Sequence, residues 1–293
     1  MKRRSTAIAA ALSLLPLGQP LLLGSTTALA TGAVLLSTQA ADAQSADDYV
    51  NVGIEKGKRG DVKGAIADFT RAIDINPQDA NAYYNRGLAK KKSGDNQGAI
   101  SDYTKAIEIN PQDGKAYSNR GSAKYELQDY QGAIDDGNKA IEINPQDAVS
   151  YSNRGAAKRK SGDTQGAISD YTKAIEINPQ YANAYYNRGL AKRKSGDIQG
   201  AIADYTKAIE INPQYADAYY NRGIAKGMSG DTQGAIADFN KAIEINPHDA
   251  AAYYNNGITK GMSGDNQGAC EDMKKAADLG LQNAAKFSRE NCR

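Results

Sequence analysis

An all-α solenoid of stacked helix hairpins is the fold class this sequence predicts, and three observations carry that prediction. Pro77, Pro111, Pro145, Pro179, Pro213 and Pro247 stand 34 residues apart each time. The run "AYYNRGLAKKKSGDNQGAI" at 82–100 returns as "AYYNRGLAKRKSGDIQGAI" at 184–202 and as "AYYNRGIAKGMSGDTQGAI" at 218–236. Between successive prolines, two stretches of helix-like composition flank a turn such as Ser93-Gly94-Asp95. A fixed period of about 20–50 residues marks a repeat architecture. A lone helix hairpin leaves its apolar faces wet, so it must stack on its neighbours.

The first element differs in composition from the rest. Lys2, Arg3 and Arg4 lead into charge-free sequence rich in Ala and Leu that ends at Ala41-Asp42-Ala43. Charged head, apolar middle and small-x-small site are the order of a cleaved export signal, which assigns residues 1–43 to such a segment. Ala28-Leu29-Ala30 offers an earlier cut, and Arg3-Arg4 hints at a twin-arginine route. An uncleaved membrane anchor is the rival, because residues 5–41 are long enough to span a bilayer. Pro16, Gly18, Pro20, Gly24 and Gly32 interrupt the stretch and favour cleavage. The chain holds 36 basic and 34 acidic side chains. Residues 1–43 contribute Lys2, Arg3, Arg4 and Asp42, so the remainder is neutral and exerts no bulk pull on nucleic acid.

The repeats follow. With the Pro set at position 32, seven units span 46–79, 80–113, 114–147, 148–181, 182–215, 216–249 and 250–283, leaving a tail at 284–293. Within the second unit, Asp95 is a good N-cap for the second helix, its carboxylate accepting amide protons of the first turn. Asn110-Pro111 ends that helix, since a residue before Pro is pushed out of the α region. Position 8 is Gly and position 20 is Ala in every unit. Gly inside a helix costs about 1 kcal/mol against Ala, so its recurrence implies a close crossing of the two helices, small residue against small.

Tyr83, Gly87, Ala99, Tyr103, Ala106 and Pro111 occupy positions 4, 8, 20, 24, 27 and 32. In this pattern, repeated in phase over nearly all of 46–283, the chain resembles the tetratricopeptide repeat family. The resemblance implies a right-handed superhelix whose first helices line a concave groove for peptides or proteins. Departures from the family pattern stand out. Position 7, commonly Leu in the family, is Arg86, Arg120, Arg154, Arg188 and Arg222; position 11 is Lys throughout, and position 23 is Asp in every unit. Periodic Arg with periodic Asp suggests ion pairs between packed helices; a solvated charged face is the alternative. Pairing from the Asp of one unit to the Arg of the next accounts for Val52 in the first unit but leaves Asp238 facing Asn256. Gly137 replaces the aromatic of position 24 in the third unit, implying a gap or a bend there.

Position 6 is the leading candidate site: Asn51, Asn85, Asn119, Asn153, Asn187, Asn221 and Asn255. A side-chain amide carries both a donor and an acceptor and can satisfy an extended peptide backbone. This looks like the asparagine ladder inside the superhelix of O-linked N-acetylglucosamine transferases. The alternative is that the amides bond within the scaffold. Position 5, also expected to line the groove, is Tyr84, Ser118, Ser152, Tyr186, Tyr220 and Tyr254, the serines opening room at mid-array. Basic pairs at positions 12 and 13, such as Lys91/Lys92, Arg159/Lys160 and Arg193/Lys194, either meet acidic ligands or simply oppose the helix dipole. The family's clamp for a terminal carboxylate takes Lys at position 5 and Asn at position 9; no unit has that pair, so that ligand class is not expected.

The tail "AAKFSRENCR" reads as a truncated first helix that caps the last hairpin, with Phe287 at position 4. Cys270 and Cys292, the only cysteines, fall where cap and hairpin should meet. In an oxidising compartment they can pair; two unrelated thiols are the alternative. The sole histidine, His248, sits in an "NPxD" loop, and no metal-ligand cluster or phosphate-binding glycine motif is present. Taken together, the residues imply an exported, non-enzymatic scaffold for protein or peptide ligands, with no cofactor and no metal. The alternative is a substrate-presenting or targeting subunit of an enzyme complex whose catalytic chain is separate.

Overall fold

The computed structural model describes residues 45–292, so the export segment expected at 1–43 lies outside the described residues. Helices follow one another as hairpins: α1 (Ala46–Lys58) with α2 (Val62–Ile75), α3 (Ala80–Lys92) with α4 (Asn96–Ile109), and α5 (Gly114–Glu126) with α6 (Tyr130–Ile143). Then come α7 (Ala148–Ser161) with α8 (Thr164–Ile177), α9 (Ala182–Lys194) with α10 (Ile198–Ile211), α11 (Ala216–Met228) with α12 (Thr232–Ile245), and α13 (Ala250–Met262) with α14 (Asn266–Asp278). A single helix, α15 (Gln282–Asn291), ends the array. Among the described residues there is no strand, and no helix is long and apolar enough to cross a membrane.

Local chemistry sets the boundaries. The Asp95 carboxylate accepts from the Gly98 amide at 2.8 Å, and its counterpart caps every second helix from α2 to α14. Gly98 is required because a Cβ there would collide with that carboxylate. Asn110 stops α4 in extended geometry, its side-chain oxygen accepting from the Gln112 amide at 3.2 Å. The inter-helix turn needs a left-handed residue, supplied by Gly94 (φ 87°) and, in the third unit, by Gln128 (φ 64°).

Ala65, Ala99, Ala167, Ala201 and the aromatics Phe69, Tyr103, Tyr171, Tyr205 and Phe239 form the buried spine. The glycines of position 8 serve those rings. A Cβ on Gly87 would lie 2.8 Å from the Tyr103 ring, and one on Gly189 would lie 2.6 Å from Tyr205. The close approach expected between Gly and Ala is therefore, in five of the units, an approach between Gly and the aromatic of position 24. No gap marks Gly137, and its helix does not break. It is buried within an uninterrupted α6, and a Cβ there would lie 2.8 Å from the Cβ of Arg154. Without a ring in the way, α7 has come in against the bare backbone.

Successive first helices touch one another, whereas no pair of successive second helices makes a comparable contact among the described residues. The first helices therefore lie on the inner side of the curve. At the far end α15 packs on α14, its buried Ala284 joining Met273, Ala276 and the partly buried Tyr253, Tyr254 and Leu281. Phe287, expected to dock there, stays 37% exposed. Cys270 and Cys292 are disulfide-bonded, with Cα atoms 5.5 Å apart.

Candidate functional site

The charged residues of positions 7, 11 and 23 tie the two helices of each hairpin together. Arg86 donates through Nε and Nη2 to both oxygens of Asp102, at 2.9 and 2.7 Å, and Lys90 meets the same carboxylate at 2.8 Å. The set recurs as Arg120–Asp136–Lys124, Arg154–Asp170–Lys158, Arg188–Asp204–Lys192 and Arg222–Asp238–Lys226. The pairs thus lie within a unit and do not run from one unit to the next. The hairpin brings position 7 opposite position 23. What reaches the previous unit is the remaining guanidinium nitrogen: Nη1 of Arg86 donates to Thr70 Oγ1 at 3.1 Å, and that of Arg154 to Asn138 Oδ1 at 2.8 Å. Each Arg also lies over the Tyr of position 4, 5.6 Å from the Tyr83 centroid for Arg86.

Both ends depart from the pattern. In the first unit Val52 replaces the Arg, and Arg71 stands in, pairing with Asp68 at 3.2 Å and covering Tyr49. In the seventh, Asn256 donates to Asn240 at 2.8 Å, keeping the link to the previous unit but leaving Asp272 with Lys260 as its cation. Burial pushes the Asp272 carboxyl above the ordinary carboxylate range, against the pull of Lys260.

The asparagines of position 6 lie on the inner helices, and their nitrogens are mostly engaged. Asn119 Nδ2 donates to the Tyr84 hydroxyl at 3.0 Å and to the Lys115 carbonyl at 3.0 Å. Asn221 and Asn255 repeat this with Tyr186 and Tyr220 and with the carbonyls of Asp217 and Ala251. Asn85 bonds the Asn81 carbonyl, and Asn153 reaches Ser118 at 3.3 Å. Asn51 is exposed and Asn187 half-buried. The donor half of Asn85, Asn119, Asn153, Asn221 and Asn255 is therefore tied into the scaffold, and in all of these but Asn221, whose oxygen accepts from Arg193, the carbonyl oxygen is the half left to a ligand.

Of the position-5 residues, Tyr84, Tyr186 and Tyr220 lean on the aromatics of position 24, with centroids 5.9 Å apart in each case. Tyr254 packs on the cap cluster. Ser118 and Ser152 are buried and open no room, contrary to the reading from sequence. Their small size lets α5 and α7 pack more extensively than any other two successive first helices.

One further regularity of the sequence acquires meaning only from the packing. Where position 24 is Phe69, Phe239 or Met273, position 12 is Gly57, Gly227 or Gly261; where it is Tyr103, Tyr171 or Tyr205, position 12 is Lys91, Arg159 or Arg193. Gly137 is matched with Tyr125. Two hollows open at this level of the inner face. One, of about 250 Å³, has Ile54, Gly57, Phe69, Asn85 and Leu88 among its lining residues; the other, of about 300 Å³, is lined by Arg159, Leu190, Arg193, Lys194 and Met228. No group of three His, Cys, Asp or Glu side chains among the described residues is placed to hold a metal ion.

Models of the tetratricopeptide repeat match residues 80–113, 114–147 and 216–249, and a TPR repeat model matches 58–94, 155–194 and 191–230. The chain belongs to the tetratricopeptide repeat family. Its fold is similar to that of a chain of the APC/C hetero-tetramer Cut9–Hcn1, at TM-score 0.67 and 19% identity, over 77% of this chain and 45% of that one. The chain thus spans under half the length of that relative. A tetratricopeptide repeat protein from Parabacteroides merdae aligns at TM-score 0.63 and 21% identity, over 85% of this chain and 99% of that one. YrrB, described as a TPR protein with an unusual peptide-binding site, aligns at TM-score 0.50 and 26% identity, over 63% and 95% respectively. No curated protein matches the sequence.

Proposed function

We propose that this chain is an exported, non-catalytic scaffold that holds an extended polypeptide segment along its inner helices. The fold is that of a family whose members serve protein–protein interaction, and YrrB, a similar structure, is a peptide binder. The observation that carries the reading is the fixing of the position-6 amides. Two scaffold acceptors hold each nitrogen of Asn119, Asn221 and Asn255, which orients the carbonyl oxygens without consuming them in Asn119 and Asn255. An extended backbone presents N–H groups that such oxygens accept, so the grip is independent of ligand side chains. Export is supported by the charge and small-residue pattern of 1–43 and by the Cys270–Cys292 bond, a feature of oxidising compartments.

The test is binding of synthetic peptides selected from a random library by the full chain. Each amide hydrogen bond contributes a net ~0.5–1.5 kcal/mol. Replacing Asn119, Asn153 and Asn187 together by Ala should weaken the selected peptides at least tenfold with helicity unchanged. Unaltered affinity rejects the grip.

A further inference from the structure

Units four and five place an excess of hydrogen-bond donors inside the groove. Arg159 and Arg193 occupy position 12 of α7 and α9, and both are half-buried. Every arginine of position 7 is forked onto an aspartate, yet among the described residues no carboxylate pairs with these two. The one bond they make is from Arg193 Nη2 to Asn221 Oδ1, at 3.4 Å. The Nε–H of each guanidinium is buried without an acceptor.

A second feature lies behind them. Tyr171 and Tyr205 are 0% exposed, and their hydroxyls have no hydrogen-bond partner among the described residues. The Tyr171 hydroxyl faces Arg159 and that of Tyr205 faces Arg193, each guanidinium close enough to lower the phenol in the manner of a hydrogen-bond donor, though the contact falls short of a well-formed bond. Burial pushes the Tyr171 phenol up to about 12 and raises Tyr205 as well, so both remain proton donors at any physiological pH. Buried donors left unsatisfied are costly, and phenylalanine at position 24 would avoid them, as Phe69 and Phe239 do in this same chain. In the second unit the cation at this place is satisfied, Lys91 donating to Ser122 at 2.6 Å, although the Tyr103 hydroxyl behind it is likewise without a partner. Of the acidic side chains nearby, Glu126 sits beside Lys91 and Tyr125, one unit away, and Asp217 beside Tyr186.

Resting on the groove reading above, we infer that the hollow bounded by Arg159, Arg193 and Lys194 binds the carboxylates of an acidic stretch in the extended ligand. Carboxylate oxygens accept in pairs and match the planar guanidinium fork. Packed helices stand about 8–10 Å apart, and an extended chain in polyproline-II geometry advances about 3.1 Å per residue and returns a side chain to the same side every third residue. Two Asp or Glu residues about three apart therefore meet the two arginines in turn.

The test uses fluorescent dodecapeptides of Gly, Ser and Ala, carrying either two Glu three residues apart or two Gln at the same places. The full chain should bind the Glu peptide at least tenfold tighter, and that margin should shrink steeply as salt rises. Arg159→Gln with Arg193→Gln should abolish the margin while the Gln peptide binds as before. Gly227→Arg with Phe239→Tyr, which copies the site into the sixth unit, should strengthen a peptide bearing a third Glu. Equal binding of Glu and Gln peptides, or a margin that survives the double Arg variant, overturns the acidic preference while leaving the groove standing. Binding of neither peptide overturns the groove reading and this one with it. A phosphoserine peptide that outbinds the Glu peptide, or inorganic phosphate that displaces it at equal concentration, reassigns the site to phosphate and overturns the carboxylate proposal.

Discussion

Asp272 is the one member of its column without a guanidinium, and the consequence is a measurable pH dependence. Its side chain is 12% exposed and its carboxyl is raised above the ordinary 3.8 by burial. An acid raised in the folded state holds its proton more tightly there than in the unfolded chain. Its contribution to stability is complete below about pH 3.8 and is lost as pH rises through the raised value. Asn256→Arg should give Asp272 the fork its counterparts have, with Asn240 accepting the third bond as Asn138 does from Arg154. The carboxyl should then drop below its ordinary value, reversing the sign. Its stabilisation should be present at neutral pH and lost in acid. Hydrogen bonds to charged groups contribute about 1.5–3 kcal/mol, so denaturant unfolding at pH 7 should show a gain of that order that fades toward pH 3. An unchanged pH profile would show that Lys260 already satisfies the site.

Glycines of the first helices divide into two kinds once their neighbours are known. At Gly57, Gly227 and Gly261 a Cβ would meet only the Cβ of Ala65, Ala235 or Ala269, at 3.7–3.9 Å. Ala at any of these positions should stabilise by up to about 1 kcal/mol, the helix-propensity difference. At Gly87 and Gly189 the same change drives a methyl into an aromatic ring, and a loss of about 1–3 kcal/mol is expected. Gly137→Tyr, which the sequence alone would make a cavity-filling gain, should also destabilise, because the stem of Arg154 occupies the place; thermal unfolding of the variants ranks them. The hairpins themselves were legible because each is specified locally, by Asp95-type caps, Asn-Pro stops and small residues at fixed positions. The phase of the Arg–Asp pairing stays open in the sequence for a physical reason. In a periodic array, a residue 16 ahead and one 18 behind are equally regular, and only the packing of the hairpin distinguishes them. The exchange of Phe with Gly and Tyr with Arg between positions 24 and 12 was visible, but each column was read by itself.

The array as a whole is held at one end by a covalent tie. The bond between Cys270 and Cys292 joins residues separated by 22 positions, and closing a loop of that length stabilises by roughly 3 kcal/mol in the chain-entropy account. A helix of about ten residues is marginal alone. Cys292→Ser should therefore release α15 before the rest of the array melts, read by amide exchange at Ala284 and neighbouring positions, while the opposite end keeps its protection. Non-reduced mass spectrometry of protein recovered outside the cytoplasm should show the bond intact and the mass of a chain lacking about its first 43 residues. Two free thiols on exported protein would reject both the staple and the argument for export drawn from it.

The three-way reach of each guanidinium, to its own aspartate, its own tyrosine and a Thr or Asn of the unit before, makes the joints interchangeable. Thr70, Thr104, Thr172 and Thr206 offer the same hydroxyl to Arg86, Arg120, Arg188 and Arg222. Excising residues 182–215 would bring Thr172 to Arg222, and a joint of the same kind would re-form with nothing left over. Copying a unit would do the same. A chain built on such couplings can lengthen or shorten its groove by whole steps through simple tandem duplication, without passing through an ill-fitting intermediate. The near-identity of 184–202 and 218–236 is the trace that kind of growth leaves behind.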